Sequence, residues 1–154
     1  ESALNVNLKS AIYASNYAVK EMKKKKWGRI INLTSTTAKE PAKKMCLSNI
    51  SRAALTSFGK TLSLEAGEFG VTVNTILTGG VLTDRLKNLI RLRIKNTNLS
   101  LNKEIEKISN NIPVGRIASP DEFIHLIIFL ASEEASYING TAIPLDGGTS
   151  KSIF

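Results

Sequence analysis

One cysteine, Cys46, and one histidine, His125, are all that 154 residues contain of either type. The lone thiol excludes an internal disulfide and suits a reducing compartment. With a single histidine and no Cys, His, Asp or Glu cluster at ligand spacing, no metal centre is expected. Long apolar runs are also missing. The longest, residues 123–131, is interrupted by His125 and is too short to cross a bilayer. No signal-peptide pattern is present, so the cytoplasm is the expected location. Acidic residues are few, 13 against 21 Lys and Arg, which leaves a net charge of +8. A basic balance is one mark of nucleic-acid binders. Here the cations are scattered and no aromatic side chains interleave with them. The one dense run, Lys23-Lys24-Lys25-Lys26, falls at the end of an expected helix, where cations complement the macrodipole. An anionic cofactor or an acyl-carrier-linked substrate also suits a basic surface, and nucleic acid is the least favoured partner.

What is present is a regular alternation of elements. Apolar residues recur at helical spacing from Ala3 to Met22, which predicts a helix over about residues 2–25, closed by Trp27-Gly28. Arg29 to Thr34 is a short β-branched run, read as a buried strand. A polar loop containing Pro41 leads to a second helix over about residues 46–68. That helix carries Ala53, Ala54, Ser57, Gly59 and Ser63, small residues that let another helix or subunit approach, and Gly70 ends it. Val71 to Leu77 is the next strand and Thr78-Gly79-Gly80 a turn. Two amphipathic helices follow, near residues 83–95 and 100–110. Ser119-Pro120-Asp121-Glu122 joins an N-cap, a first-turn proline and a capping-box acid, and starts a helix to about Ser132. Thr141 to Leu145 is a last strand before Asp146-Gly147-Gly148. Strands alternating with long helices predict an α/β fold, a three-layer α-β-α Rossmann-like parallel sheet. His125, in an apolar helix, and Trp27, at a helix end, both read as packing residues.

Several segments occur together, in order. Gly28-Arg29-Ile30-Ile31-Asn32-Leu33-Thr34-Ser35 is followed by Ser51-Arg52-Ala53-Ala54-Leu55, then by Val71-Thr72-Val73-Asn74 and Gly79. Ile112-Pro113-Val114-Gly115-Arg116, Pro120-Asp121-Glu122, Phe129-Leu130-Ala131-Ser132, Tyr137-Ile138-Asn139-Gly140 and Leu145-Asp146-Gly147-Gly148 complete the set. The chain resembles the short-chain dehydrogenase/reductase family along essentially its whole length, and within it the 3-oxoacyl-(acyl-carrier-protein) reductase-like branch. The glycine-rich phosphate turn of that family is not among these residues. Residues 1–154 are therefore expected to be a single-domain fragment, the C-terminal part of a Rossmann-type oxidoreductase domain. The region from Asp84 to Asn111 matches the family's substrate lid, with Leu86, Leu89, Ile90, Ile94, Ile105 and Ile108 as an apolar wall.

The resemblance implies a catalytic set. In the family a serine holds the substrate carbonyl, a tyrosine donates the proton, and a lysine four residues later tunes the tyrosine and binds the cofactor ribose. Ser35 takes the serine position. Arg52 stands at the lysine position, and Ser48, four residues earlier and 13 after Ser35, at the tyrosine position. Asn7, in Asn5-Val6-Asn7-Leu8, matches an asparagine that holds a proton-relay water. Thr78, Gly79, Gly80, Val81 and Thr83, with Arg52, are the implied contacts of an NAD or NADP cofactor. Bland readings stand beside these roles. Ser35 fits a strand-end residue that bonds the loop, Asn7 a backbone-bonding residue within its helix, and Thr83 a helix cap. Asn74 reads as a tie between its strand and neighbouring backbone. Aliphatic alcohols are far weaker acids than a phenol of pKa about 10, and arginine keeps its proton at neutral pH. Two functions follow. One is an NAD(P)-dependent oxidoreductase that reduces a 3-oxoacyl-like carbonyl or oxidises an alcohol with an altered proton donor, Lys44 and Cys46 being nearby substitutes. The other is a catalytically weak or inactive relative acting as a nucleotide-binding or interaction subunit. The partners implied are a small-molecule or acyl-carrier-linked substrate and a second copy of the chain, as homotetramer or dimer.

Overall fold

The computed structural model describes residues 1–153. Three parallel strands make one sheet in the order β1-β2-β3: β1 (Gly28–Leu33), β2 (Val71–Thr78) and β3 (Ala142–Leu145). Gly28 lies opposite Val71 and Leu33 opposite Ile76, while Thr75 pairs with Ala142 and Thr78 with Leu145. The central strand is buried from Val71 to Leu77. A strand covered on both faces needs apolar or β-branched side chains at consecutive positions, and Val71-Thr72-Val73 and Thr75-Ile76-Leu77 supply them. Asn74 interrupts the run because both ends of its amide are used. Its Nδ2 donates to Ile138 O at 2.8 Å and its Oδ1 accepts from Thr141 N at 3.2 Å.

Alternate residues of the strands feed two cores. Val71 and Val73 pack with Val19, Leu62 and Ala66, joined by Met22, Ile30 and Phe58. Apart from Ile30 of β1, these partners come from α2 (Ser10–Lys25) and α3 (Cys46–Ala66) on one face. Ile76 packs with Leu130 and Ala135 on the other, where α6 (Pro120–Ala131) adds Phe123, Leu126 and Ile127. The remaining helices are α1 (Ser2–Leu4), α4 (Asp84–Ile94) and α5 (Leu101–Ser109). Helices on both faces of a parallel sheet make the expected α-β-α, Rossmann-like architecture.

The local signals that involve neighbouring residues appear as expected. Ser119 Oγ accepts from Glu122 N at 3.3 Å and Glu122 Oε2 accepts from Ser119 N at 2.8 Å, a complete capping box. Thr83 and Ser100 cap α4 and α5 through their hydroxyls. Four expectations need correction. The first helix is not uniform, since Asn5–Lys9 forms a π-helical turn between α1 and α2. Beside it Ser10 Oγ donates to Val6 O at 2.6 Å, the back-bonding that competes with helical hydrogen bonds. Nor do Trp27 and Gly28 stop α2. Lys26 does so in the left-handed conformation, φ 52°, with its N–H bonded to Lys23 O. Gly28 instead begins β1, where a Cβ would fall 2.6 Å from Met22 Cγ, so only glycine lets α2 lie that close. His125, expected to pack, is exposed on α6. Trp27 is also 47% exposed, held at the surface by a hydrogen bond from its Nε1 to Glu133 and by the Arg29 guanidinium 5.1 Å from its ring. Among the described residues no helix is long and apolar enough to cross a membrane, and no group of His, Cys, Asp and Glu is placed to hold a metal ion.

Candidate active site

The carboxyl ends of β1 and β2 open into a cleft of about 430 Å³. Open parallel sheets bind ligands at this edge, because the loops leaving the strands carry unpaired polar groups there. Leu33, Thr34 and Ser35 enter from the end of β1, Thr78 from the end of β2, and Gly79, Gly80, Val81 and Thr83 from the turn beyond it. Arg52 reaches in from α3. Leu86 and Leu89 of α4 and Phe123 of α6 complete an apolar wall.

Ser35 meets both of its readings. Its Oγ accepts from Thr37 N at 3.3 Å, capping the short 3-10 turn Thr36–Ala38, and its side chain still lines the cleft. Thr83 is likewise both cap and lining, with Oγ1 accepting from Leu86 N at 3.3 Å. Gly79 is required by packing. A Cβ there would fall 2.7 Å from Asp146 Cα, while its N–H donates to Leu145 O at 2.9 Å, so the turn sits directly on the end of β3. The next residues are held from the other side. Ala118 N donates to Gly80 O at 3.2 Å, and Leu82 N donates to Ala118 O at 2.8 Å. The amides of Gly80 and Val81 pair with no backbone carbonyl among the described residues.

Behind this turn Arg116 grips Glu122 with two bonds of 2.7 Å. The guanidinium, together with the Ser119 amide, holds the Glu122 carboxyl down at about 2. The ion pair therefore fastens the start of α6 to the segment that braces the turn.

Ser48 and Arg52 lie one helical turn apart on α3, on one face as the spacing requires. Arg52 Nε donates to Ser48 Oγ at 3.1 Å. Both are half-buried, yet only Arg52 reaches the cleft lining. Asn7 sits in the π-helical turn and lines a second cavity of about 240 Å³. Arg52, Leu33 and Thr34 border both spaces. Of the nine residues singled out from the sequence, Ser35, Arg52, Thr78, Gly79, Gly80, Val81 and Thr83 share the cleft, Asn7 lines the adjoining space, and Ser48 touches the site through Arg52. Arg85 and Phe123 are lining residues that the sequence did not single out. Arg85 stands two residues after the Thr83 cap, and its first-turn position on α4 was its only signal.

A family model described as enoyl-(acyl carrier protein) reductase matches residues 1–150. The chain belongs to the short-chain dehydrogenase/reductase family. Among curated members of this family, the NADPH-dependent reductase BacG of Bacillus subtilis (strain 168) is 39% identical over 132 residues, 86% of this chain and 51% of its own length. The 3-oxoacyl-(acyl-carrier-protein) reductase FabG of Buchnera aphidicola subsp. Schizaphis graminum is 34% identical over 148 residues, 96% of this chain and 56% of its own. The crystal structure of L-sorbose reductase from Gluconobacter frateurii, complexed with NADPH and L-sorbose, superposes with a TM-score of 0.93 at 28% identity, covering 98% of this chain and 58% of that one. The chain spans about half the length of the curated relatives it matches.

Proposed function

We propose that these residues form the nicotinamide and substrate part of an NAD(P)-dependent oxidoreductase that interconverts a carbonyl and an alcohol, with a 3-oxoacyl-like compound as the leading substrate class. The observation that carries this reading is the convergence of Ser35, Arg52 and the Thr78–Thr83 turn on one cleft at the carboxyl edge of the sheet. The donors present suit a dinucleotide: unpaired Gly80 and Val81 amides for a carboxamide, the Thr78 and Thr83 hydroxyls, and a guanidinium for ribose and anionic groups. Among the described residues no acidic side chain lines the cleft to repel it. In the reading, these residues are the C-terminal part of a longer Rossmann-type domain. When bound, the nicotinamide supplies or accepts the hydride. NADPH is the first form to try, being the cofactor named for BacG and for L-sorbose reductase.

The chain's own residues have the following roles. Ser35 donates its hydroxyl hydrogen to the substrate carbonyl oxygen, stabilising the negative charge that grows there. Arg52 holds the cofactor and adds a fixed positive charge, but its proton stays in place. Ser48 accepts the Arg52 Nε–H at 3.1 Å and so positions the guanidinium, while water entering the cleft supplies the proton that the substrate oxygen takes up. Asn7 lies in the adjoining cavity, which Leu33, Thr34 and Arg52 share with the cleft, and a chain of waters there would carry a proton towards the substrate; the space is several times the roughly 30 Å³ share of one water. Replacing a well-placed general acid by so weak a donor lowers the rate about 10²–10⁴-fold.

A second reading is favoured by that same Ser48–Arg52 contact: a dinucleotide-binding subunit with little turnover of its own. Titration of the full chain with NADPH and NADH, followed by nicotinamide fluorescence, separates the cases. Binding is expected. The double variant Ser48→Tyr/Arg52→Lys is then expected to raise kcat on a 3-oxoacyl substrate about 10²–10⁴-fold. Absence of dinucleotide binding would end the oxidoreductase reading. Binding without turnover, even in the double variant, would leave the subunit reading.

A further inference from the structure

Among the described residues the cleft holds two positive charges and no negative one. Of the described side chains that line it, Arg52 and Arg85 are the ionic ones. Arg52 spends its Nε on a neutral partner, Ser48 Oγ. Arg85, exposed in the first turn of α4, makes no ion pair among the described residues. Its neighbour Asp84 is paired elsewhere, with Lys87 Nζ at 3.5 Å. A guanidinium presents a planar fork that matches a carboxylate, and binds it more strongly than it binds a neutral acceptor. Leu86, Leu89 and Phe123 line the same space with hydrocarbon. A ligand with an anionic head and an apolar body satisfies both surfaces together.

We propose that Arg85 recognises the carboxylate of an oxo-acid substrate, so that the cleft selects free acids with an apolar tail over neutral ketones and esters. The proposal rests on the oxidoreductase reading above, in which Arg52 serves the cofactor and Arg85 is the charge left for the substrate. A cleft with two uncompensated cations also raises the local concentration of any anion through its field. That adds a salt dependence which a neutral ketone does not share.

Two measurements on the full chain test it. In the first, octanoate and octanamide are titrated into the protein and binding is read by calorimetry. Octanoate is expected to bind about 10- to 100-fold more tightly, the difference between a charge-assisted and a neutral hydrogen bond. Arg85→Gln removes that preference, and Arg85→Lys restores part of it by keeping the charge without the fork. In the second, 3-oxooctanoate and its methyl ester are compared as substrates with NADPH. The acid-over-ester ratio of kcat/KM is expected to fall about 10- to 100-fold in Arg85→Gln, mostly through the KM of the acid. Equal losses for acid and ester overturn the proposal. So does a tenfold weakening of NADPH binding in Arg85→Gln, which would assign Arg85 to a cofactor phosphate. If neither ketone is turned over, even with Ser48→Tyr/Arg52→Lys in place, the oxidoreductase reading fails by itself. The octanoate comparison still decides on Arg85, because equal binding of octanoate and octanamide removes the anion site.

Discussion

At the residue scale, the ionic groups around the cleft divide into those that brace it and those that face it. Arg116 and Glu122 brace it. Two bonds of 2.7 Å from Arg116, with the Ser119 amide, hold the Glu122 carboxyl down to about 2 from an ordinary 4.5. A carboxyl held below its usual value stabilises the fold fully above pH 4.5, and that contribution is lost as pH falls through about 2. Between pH 5 and pH 2, then, the wild-type melting temperature should fall more steeply than that of Glu122→Gln. Above pH 5 the variant should be the less stable protein. Both groups are open to solvent, so the difference is small and shrinks with added salt. Parallel melting curves for the two proteins across that range would remove the pair from the account. Arg52 and Arg85 are the contrasting case. They face the cleft without carboxylate partners, and their charge is therefore available to a ligand.

At the scale of elements, the position of α3 on the sheet decides where Arg52 points. Gly59 is the closest approach. A Cβ added there would lie 2.8 Å from Asn32 Nδ2 and 3.1 Å from Thr75 Oγ1, both on the strands beneath. Gly59→Ala must push the helix outward or displace those side chains. Overpacking of this kind costs about 1–3 kcal/mol. The urea midpoint of Gly59→Ala should drop accordingly, and dinucleotide affinity should weaken with it, since the same helix carries Arg52. An unchanged midpoint would mean that Asn32, whose Nδ2 has no partner among the described residues, simply swings away. The features legible in the sequence were those made by neighbours along the chain: the Ser119–Glu122 capping box, the Thr83 and Ser100 caps, the buried run of β2, and the Ser48–Arg52 spacing. What the sequence did not reveal is the winding at helix ends and the packing that the assembled fold imposes. Lys26 takes a left-handed stop because Gly28 must enter β1 against Met22. Asn5–Lys9 winds as a π turn although its composition is that of ordinary helix. Arg85 looked like one surface cation among 21 until the fold set α4 beside the end of β2.

At the scale of the whole molecule, the outer face of α3 is unusual for a surface. Ile50, Ala53, Ser57, Thr61 and Leu64 fall in one stripe at helical spacing, all exposed, none charged. Leu64 is 73% exposed and Ile50 53%. In a chain of net charge +8, a charge-free stripe with small residues at its middle is where a second copy can approach without repulsion. Small residues also allow two helices to close to short distance. The homotetramer or dimer that the family resemblance implies would use this stripe. In a two-fold contact each residue is buried once on each copy, so one substitution acts twice. Leu64→Glu would then place two carboxylates in the same desolvated contact. The full chain, examined by size-exclusion chromatography with light scattering, is expected to run as a dimer or tetramer, and Leu64→Glu to shift it to the next smaller species. The far-UV circular dichroism should be unchanged, because Leu64 contributes to neither core. A variant of undiminished mass would place the subunit contact elsewhere and leave the stripe as plain surface. A monomeric wild type would remove the assembly itself.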